Sequence, residues 1–473
     1  MPQRLDTRDQ LFLLPPSLDE LIGEAHPVRY VAGFLEALTA EDWTELGVSQ
    51  TGHLLGAPRY APELLLRIWL SGFMLGIRSA RGLERACRER FDLYWAAAGQ
   101  HPDHNTLWRF YTAHRLKMRQ LLRATVRTAV DIGLVELAVQ AVDGTKVLAN
   151  ANRDATMNAT QLAVLAEKTD AAIADLEAQE HGEDGPPPEL PPKLRDAKVL
   201  KERIAAVRAK AESGDALPVN RTDPEASWMK TREGSKPVYN AQLVVTPTDP
   251  AVGNGAGRII LAAKVTTQAN DVGLLAPMVE AARVPDQPLP TTLADAGYSS
   301  QASLLAAKDA GITVVAPLQR QTQQHEPYAK ERFQYVASTD TYLCPDGQTL
   351  SRGSRTRSNG QPVTRYQADA AVCQACAAFG LCTTSPHGRM LKIGDQEERI
   401  RHHAEWMDTE EAKALSRQRQ GLIEPVFGIA KERLGARKTL LRGRANVEAE
   451  WVLTATAFNL RTLARAMANR PAA

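Results

Sequence analysis

A change of hydrophobic period at Leu137 narrows what this chain can fold into more than any other feature. Upstream, apolar residues recur at helical spacing: PELLLRIWLSGFMLGI opens with Pro62 at a first helical position, and SARGLERACRERFDLYW follows a short break. HNTLWRFYTAHRLKMRQLLRATVRTAV then reads as one long basic helix capped by Asn105 or Thr106. Helix, turn and an arginine-bearing last helix (Arg109, Arg115, Lys117, Arg119) has the shape of a major-groove reader, and equally of a plain helical bundle. Downstream the period is two, so Val139, Ala141, Asp143, Thr145 and Val147 share one face of a strand, and an acid interrupts that apolar face. VYNAQLVV and GRIILAAKV are two more strands around a Pro/Gly-rich turn, and residues 271–282 read as a capped helix. PTTLADAGYSSQASLLAAKDAGITVVAPL runs strand, loop, helix, Gly311 stop, strand, which is a βαβ unit. An α/β core behind a helical N-terminal domain is therefore expected.

Two segments interrupt that core. Residues 158–213 carry helical spacing on two arms, Leu162, Leu165, Ile173 and Leu176, then Ala197, Leu200, Ile204 and Val207. GEDGPPPELPP between them cannot continue a helix, so an antiparallel helical hairpin is expected. Residues 331–395 read as loop-rich and cysteine-bearing, after which helical periodicity resumes. The expected domains are 1–130, helical, for DNA binding or assembly; a core of 131–330 with 396–473; and the insertions 158–213 and 331–395.

Composition excludes some classes. A hydrophobic fraction of 44% with 24% charged residues is ordinary for folded protein, so disorder is not the dominant state. The most apolar stretch, 64–77, is interrupted by Arg67 and falls short of the roughly 20 residues a spanning helix needs. MPQRLDTRDQ lacks the charged-then-apolar pattern of a secretory signal, which leads us to expect a reducing cytoplasm. Lys plus Arg exceeds Asp plus Glu by only 57 to 55, so distribution must decide whether nucleic acid is a partner. Residues 78–90 hold five arginines against Glu84 and Glu89, and residues 352–365 hold Arg352, Arg355, Arg357 and Arg365 with no acid. Such patches mark either a phosphate-backbone partner or a solvated face.

Asp143 on the first strand and Asp295 at the end of the first βαβ strand are placed to converge on one rim of a sheet, where two carboxylates bridge divalent metal. Acids also cap helices and turns at such positions. In SRQRQGLIEPVFGIAKERLG the apolar stripe is Ile423, Phe427, Ala430 and Leu434, while Arg417, Glu424 and Lys431 recur every seven residues on another face. By periodicity alone that face is a surface charge ladder. Pro425 disfavours helical geometry at Glu424, so a kink or a helix start is expected there. Cys344 lies in the knuckle LCPDG, and CQACAAFGLC supplies Cys373, Cys376 and Cys382 with a zinc-chelating C-x2-C pair. Four thiolates suit one structural zinc; reduced, unpaired thiols are the alternative, since the first half offers one cysteine where common ribbons have two. Cys87 reads as a core thiol, and His101, His104, His402 and His403 as surface or capping residues.

VDGTKVLANAN around Asp143, LADAGYSS around Asp295, and IEPVFGIAK followed by RGRANVEAEWVLTATAFNL resemble, in this order, the three acidic motifs of the DDE insertion-sequence transposases. SLDELIGEAHPVRYV, YAPELLLRIWLSGFMLGIRSARGLERA and PDHNTLWRF are similar to the helical domain preceding that core in one large bacterial group of them. The resemblance implies a ribonuclease-H-like α/β core with a helical N-terminal domain, a helical-hairpin insertion and a small zinc-ribbon-like insertion. It implies Asp143, Asp295 and Glu424 as a triad for two Mg2+ or Mn2+ ions, with Arg419 and Lys431 contacting DNA phosphates, and leaves one structural zinc for Cys344, Cys373, Cys376 and Cys382. Ser416 stands three residues before Arg419, where many relatives carry tyrosine.

The expected function is that of a transposase of a bacterial insertion sequence. It binds terminal inverted repeats and target DNA as duplexes, cleaves and transfers strands with divalent metal, and works as a homodimer in a synaptic complex. The expected location is cytoplasmic and nucleoid-associated, without membrane contact. Arg109 and Arg115 are further candidate DNA contacts. The rivals are a catalytically silent, transposon-derived DNA-binding protein and a nuclease or resolvase with the same core.

Overall fold

The computed structural model describes residues 17–48, 59–180, 218–318, 326–358, 361–394 and 396–468, except 254 and 256, together with 198, 201, 202, 204 and 205. In chain order the elements are α1 (Pro27–Glu36), α2 (Ala40–Glu45), α3 (Pro62–Met74), α4 (Ala80–Glu89), α5 (Phe91–Ala96), α6 (His104–His114), α7 (Arg119–Asp131), β1 (Val139–Leu148), β2 (Thr156–Met157), α8 (Ala159–Glu180) and β3 (Val219–Asn220). There follow β4 (Ser227–Thr231), β5 (Gly234–Pro247), β6 (Arg258–Thr266), α9 (Leu275–Ala281), β7 (Thr291–Leu293), α10 (Gln301–Asp309), β8 (Val314–Val315), β9 (Gln334–Val336) and β10 (Thr341–Leu343). The last are β11 (Thr349–Ser358), β12 (Gln361–Ala368), α11 (Ala370–Gln374), β13 (Met390–Gly394), α12 (Glu397–Met407), α13 (Glu410–Glu432) and α14 (Arg444–Met467). No described helix is long and apolar enough to cross a membrane.

The first compact unit comprises Met1–Asp271, Pro277–Pro290 and Gln420–Ala473. Its helices from α1 to α7 share one apolar cluster, centred on Trp69, Phe73, Leu83 and Leu107, into which α14 inserts Leu453, Ala457 and Leu460. The basic helix expected from 105 onward is two elements. Asp103, rather than Asn105 or Thr106, caps α6 by accepting from the Thr106 amide at 2.7 Å. The helix then tightens into a 3-10 turn at Arg115–Lys117 before α7. Arg115 holds that turn, donating to the Thr112 carbonyl at 2.5 Å and to Asn446 Oδ1 at 2.9 Å.

β1 pairs antiparallel with β5, Asp143 opposite Leu243 and Thr145 opposite Ala241. β4 and then β6 line the other edge of β5. α14 crosses this sheet: Asn459 takes both the amide and the carbonyl of Ile260, each at 2.8 Å, and Trp451 Nε1 donates to the Gln242 carbonyl. The first arm of the expected hairpin is α8. Of the second, 198, 201, 202, 204 and 205 are helical, with Lys201 Nζ 2.8 Å from Asp170, while GEDGPPPELPP, Ala197, Leu200 and Val207 lie outside the described residues. The short β2–β3 ladder, Thr156 opposite Asn220, closes the base of the insertion.

The second compact unit comprises Val272–Ala276 and Thr291–Arg419. β7 and β8 are parallel and joined through α10, which Ser300 caps and Gly311, at φ +72°, terminates. The helix expected at 271–282 is shorter, beginning at Leu275, because Asp271 accepts side-chain amides instead of capping. Residues 331–395, expected to be loop-rich, form a five-stranded antiparallel sheet of order β13-β12-β11-β10-β9. Its two long strands, β11 and β12, are mostly Ser, Thr, Gln and Arg, so alternation of apolar and polar residues never announced them. Phe333, Tyr342, Leu350, Tyr366, Leu391 and Ile393 make its small core.

Candidate active site

Asp143 lies half-buried on β1, its carboxylate accepting from the Gly144 amide at 2.8 Å. Thr145 shares its face of the strand, and Lys431 Nζ of α13 donates to Thr145 Oγ1 at 2.5 Å. Burial pulls the Lys431 ammonium below its usual range, and Arg437 and Arg232 add to the shift. On the opposite face there is no room for a side chain at Gly144. A Cβ there would stand 2.2 Å from Gln242 Nε2 and 2.7 Å from Asn240 Oδ1. Those two amides donate to Asp271 Oδ1 at 2.7 and 2.8 Å, so a polar network stiffens the strand directly behind Asp143.

α13 runs unbroken through Pro425, where a kink or start was expected. Proline at 425 has no N–H for the carbonyl four residues back, which is that of Gly421. Arg258 of β6 replaces it, donating from Nε at 3.1 Å and Nη2 at 2.6 Å to the Gly421 oxygen. Ile423, Val426, Phe427, Ala430 and Leu434 are buried, and Phe427 stacks on Trp451. Glu424 is exposed.

These contacts fix the course of the helix over the sheet. Arg258 pairs with Pro247, at the end of β5 that lies by the start of β1, whereas Thr145 lies toward the far end of β1. Gly421 is thus anchored near the beginning of β1 and Lys431 near its end. Glu424 falls between the anchors and shares the helix face of Lys431, seven residues on, which meets the Asp143 face of β1. Asp295 belongs to the second unit; it lies just past β7, half-buried, and accepts from the Gly297 amide at 2.8 Å in a tight turn.

Residues 343–464, including Glu424 and the four clustered cysteines, match the family described as Transposase DDE domain, and residues 16–113 match the Transposase domain (DUF772) family. Together the two matches support an insertion-sequence DDE transposase. No curated protein matches it. The matched DDE domain suggests a nucleotidyl-transfer enzyme and implies a DNA substrate and a ribonuclease-H-like α/β fold, and DDE transposases generally use divalent ions such as Mg2+.

Among the described residues of the transposase, no three His, Cys, Asp or Glu side chains stand close enough to hold a metal ion. The carboxylates of Asp143, Asp295 and Glu424 are the hard-oxygen donors Mg2+ requires. Cys344, Cys373, Cys376 and Cys382 line one cavity of about 20 Å³ without forming a metal-holding group. Backbone amides of Gln348 and Arg389 donate to the sulfurs of Cys344 and Cys373, and burial pushes the Cys382 thiol up. Arg419 is half-buried on α13; Arg109 is exposed; Arg115 is spent on the turn between α6 and α7 and on Asn446 of α14. Cys87 is buried in the helical core, its thiol pushed up to about 12 by desolvation. His104 contacts Glu84 and His403 the Ala316 carbonyl. The residues that sequence reading missed are Thr145, Arg258 and the Asn240–Gln242–Asp271 network. Pro425 was the one available signal, since it announces an orphaned carbonyl.

Proposed function

We propose that this transposase binds the terminal inverted repeats of its own mobile element, cuts there and joins the freed ends to target DNA, using Asp143, Asp295 and Glu424 as ligands for two divalent ions. The observation that carries the reading is the double anchoring of α13, Lys431 on Thr145 and Arg258 on Gly421, which supports Glu424 lying over the stretch of β1 that bears Asp143. Bound Mg2+ or Mn2+ would supply Lewis-acid activation of the attacking hydroxyl and neutralise phosphate charge. Lys431 and Arg419 flank Glu424 with positive charge, suited to holding the phosphates beside the scissile bond. Joining two ends in one event calls for two copies, so the working form is a homodimer on DNA, in the cytoplasm and at the nucleoid.

The test is strand cleavage and joining on duplexes bearing the element ends. Asp143→Asn, Asp295→Asn and Glu424→Gln should each abolish both in Mg2+ and leave duplex binding within a few-fold. Substantial joining by any one variant removes that residue from the triad.

A single structural zinc on Cys344, Cys373, Cys376 and Cys382 belongs to the same reading, supported by their shared cavity and by the amides that meet two of the sulfurs. Metal analysis should then find about one zinc per chain, lost with Cys373→Ser or Cys376→Ser. Zinc-free protein whose segment 331–395 resists protease would refute it.

A further inference from the structure

The turn between α3 and α4 lies directly on the end of the helix that carries Glu424. Gly76 takes φ +76°, and a Cβ there would stand 2.8 Å from the Arg433 carbonyl oxygen. The chain leaves α13 through Gly435, φ +71°, beside which the Ala436 amide donates back to the Ala430 carbonyl. Arg78, in the same turn as Gly76, grips this terminus. One guanidinium nitrogen meets Glu450 of α14 at 2.6 Å, and another donates to the carbonyls of Gly435 and Lys438. Glu450 accepts from the Leu440 and Leu441 amides at 3.0 and 3.2 Å. Apart from each other, the two side chains hydrogen-bond, among the described residues, to the backbone of 435–441 alone.

The other side of that segment is laid on the strand that carries Asp143. Leu148, at the end of β1, donates from its amide to the Arg437 carbonyl at 3.0 Å and accepts from the Thr439 amide at 2.8 Å. Thr439 Oγ1 accepts from the Asn150 amide at 3.0 Å. The segment therefore sets how far along β1 the helix ends, and Arg78 with Glu450 hold it from behind. A slip of one residue would carry Glu424 about 1.5 Å along the helix axis and turn it by about 100°. Misplacements of about 1 Å cost a reaction roughly a hundredfold in rate. Stability alone does not account for the pair, because a buried ion pair adds little over an apolar pair of equal volume. What an apolar pair cannot do is hold two carbonyls and two amides of an irregular segment in one register.

We propose that Arg78 is a positioning residue for strand cleavage and joining: with Glu450 it latches residues 435–441 onto β1, and so sets where Glu424 stands along the strand of Asp143. Arginine suits this task because its planar fork serves a carboxylate and two carbonyls at once, whereas a lysine ammonium is a single point. The role in cleavage rests on the transposase reading; the latch rests on the hydrogen bonds.

The experiment compares full-length wild type, Arg78→Lys and Leu460→Ala on duplexes carrying the element end. Leu460→Ala is the control, since it weakens the core shared with α14 without touching the latch. At a temperature where all three are folded, Arg78→Lys should keep the wild-type KM for the duplex while kcat falls roughly tenfold or more and half-saturation moves to higher Mg2+. Its Thr439, Leu440 and Leu441 amides should exchange hydrogen faster relative to those of β5. Leu460→Ala should keep the wild-type kcat. A wild-type kcat in Arg78→Lys, with or without faster exchange, or an equal loss in Leu460→Ala, overturns the proposal. Should Arg78→Lys fail to fold, Thr439→Val carries the test, because it frees the segment from the Asn150 amide with the ion pair intact. There too kcat should fall at unchanged KM, and a wild-type kcat overturns the latch. A wild type that cuts no element end overturns the transposase reading; one that cuts, beside variants that cut equally well, overturns the positioning role alone.

Discussion

Arg78 and Glu450 meet at 2.6 Å with their side chains 8% and 4% exposed, and neither is left with an unmet partner. Arg78 also donates to the carbonyls of Gly435 and Lys438, and Glu450 accepts from the amides of Leu440 and Leu441. Burial alone pushes the Glu450 carboxyl up, and the Arg78 guanidinium opposes it. Losing one partner strands the other charge in a dry site, so Glu450→Ala should cost about 3–5 kcal/mol in denaturant unfolding. Arg78→Met with Glu450→Leu should recover only part of that, because two carbonyls and two amides stay unpaired. A double variant as stable as wild type would show that those backbone groups find other partners. Nothing in the sequence couples these residues, which are 372 positions apart; Arg78 reads there as one of five arginines in a basic patch.

At the scale of the element, α13 shows how a proline inside a helix is tolerated. Its apolar stripe was legible from spacing, since Ile423, Phe427, Ala430 and Leu434 repeat with the helical period and all are buried. Continuity through Pro425 was not, because it depends on Arg258 from a strand remote in sequence supplying the missing donor. Arg258→Ala should therefore destabilise by roughly 1–3 kcal/mol, the cost of an unmet carbonyl. Pro425→Ala restores an N–H for Gly421, so in Pro425→Ala the further change Arg258→Ala should cost distinctly less. Equal costs in both backgrounds, measured as a double-mutant cycle, would break the link between the two residues. The sheet of β11, β12 and β13 makes the converse point: its arginines were read as a patch, but only strand register put Arg365 of β12 beside Lys392 of β13.

At the scale of the molecule, the helices before residue 131 share their core with α14, which inserts Leu453, Ala457 and Leu460 into it. A fragment of residues 1–130 should accordingly lack a cooperative thermal transition, and Leu460→Ala in the full chain should lower stability by about 2–5 kcal/mol. A sharply melting fragment with dispersed amide resonances would show that the helices fold without α14. The sequence by itself determined what local periodicity and chemistry can specify: helices, then an alternating strand bearing Asp143, then a βαβ unit with Asp295 at its strand end, and the apolar stripe beneath Glu424. Only the tertiary structure decided that α14 closes the N-terminal core, that residues 331–395 are a sheet, and that Thr145 and Arg258 pin the helix carrying Glu424. Periodicity records which face an element buries. Which distant residue satisfies an orphaned carbonyl or a buried charge is fixed only when the chain brings them together.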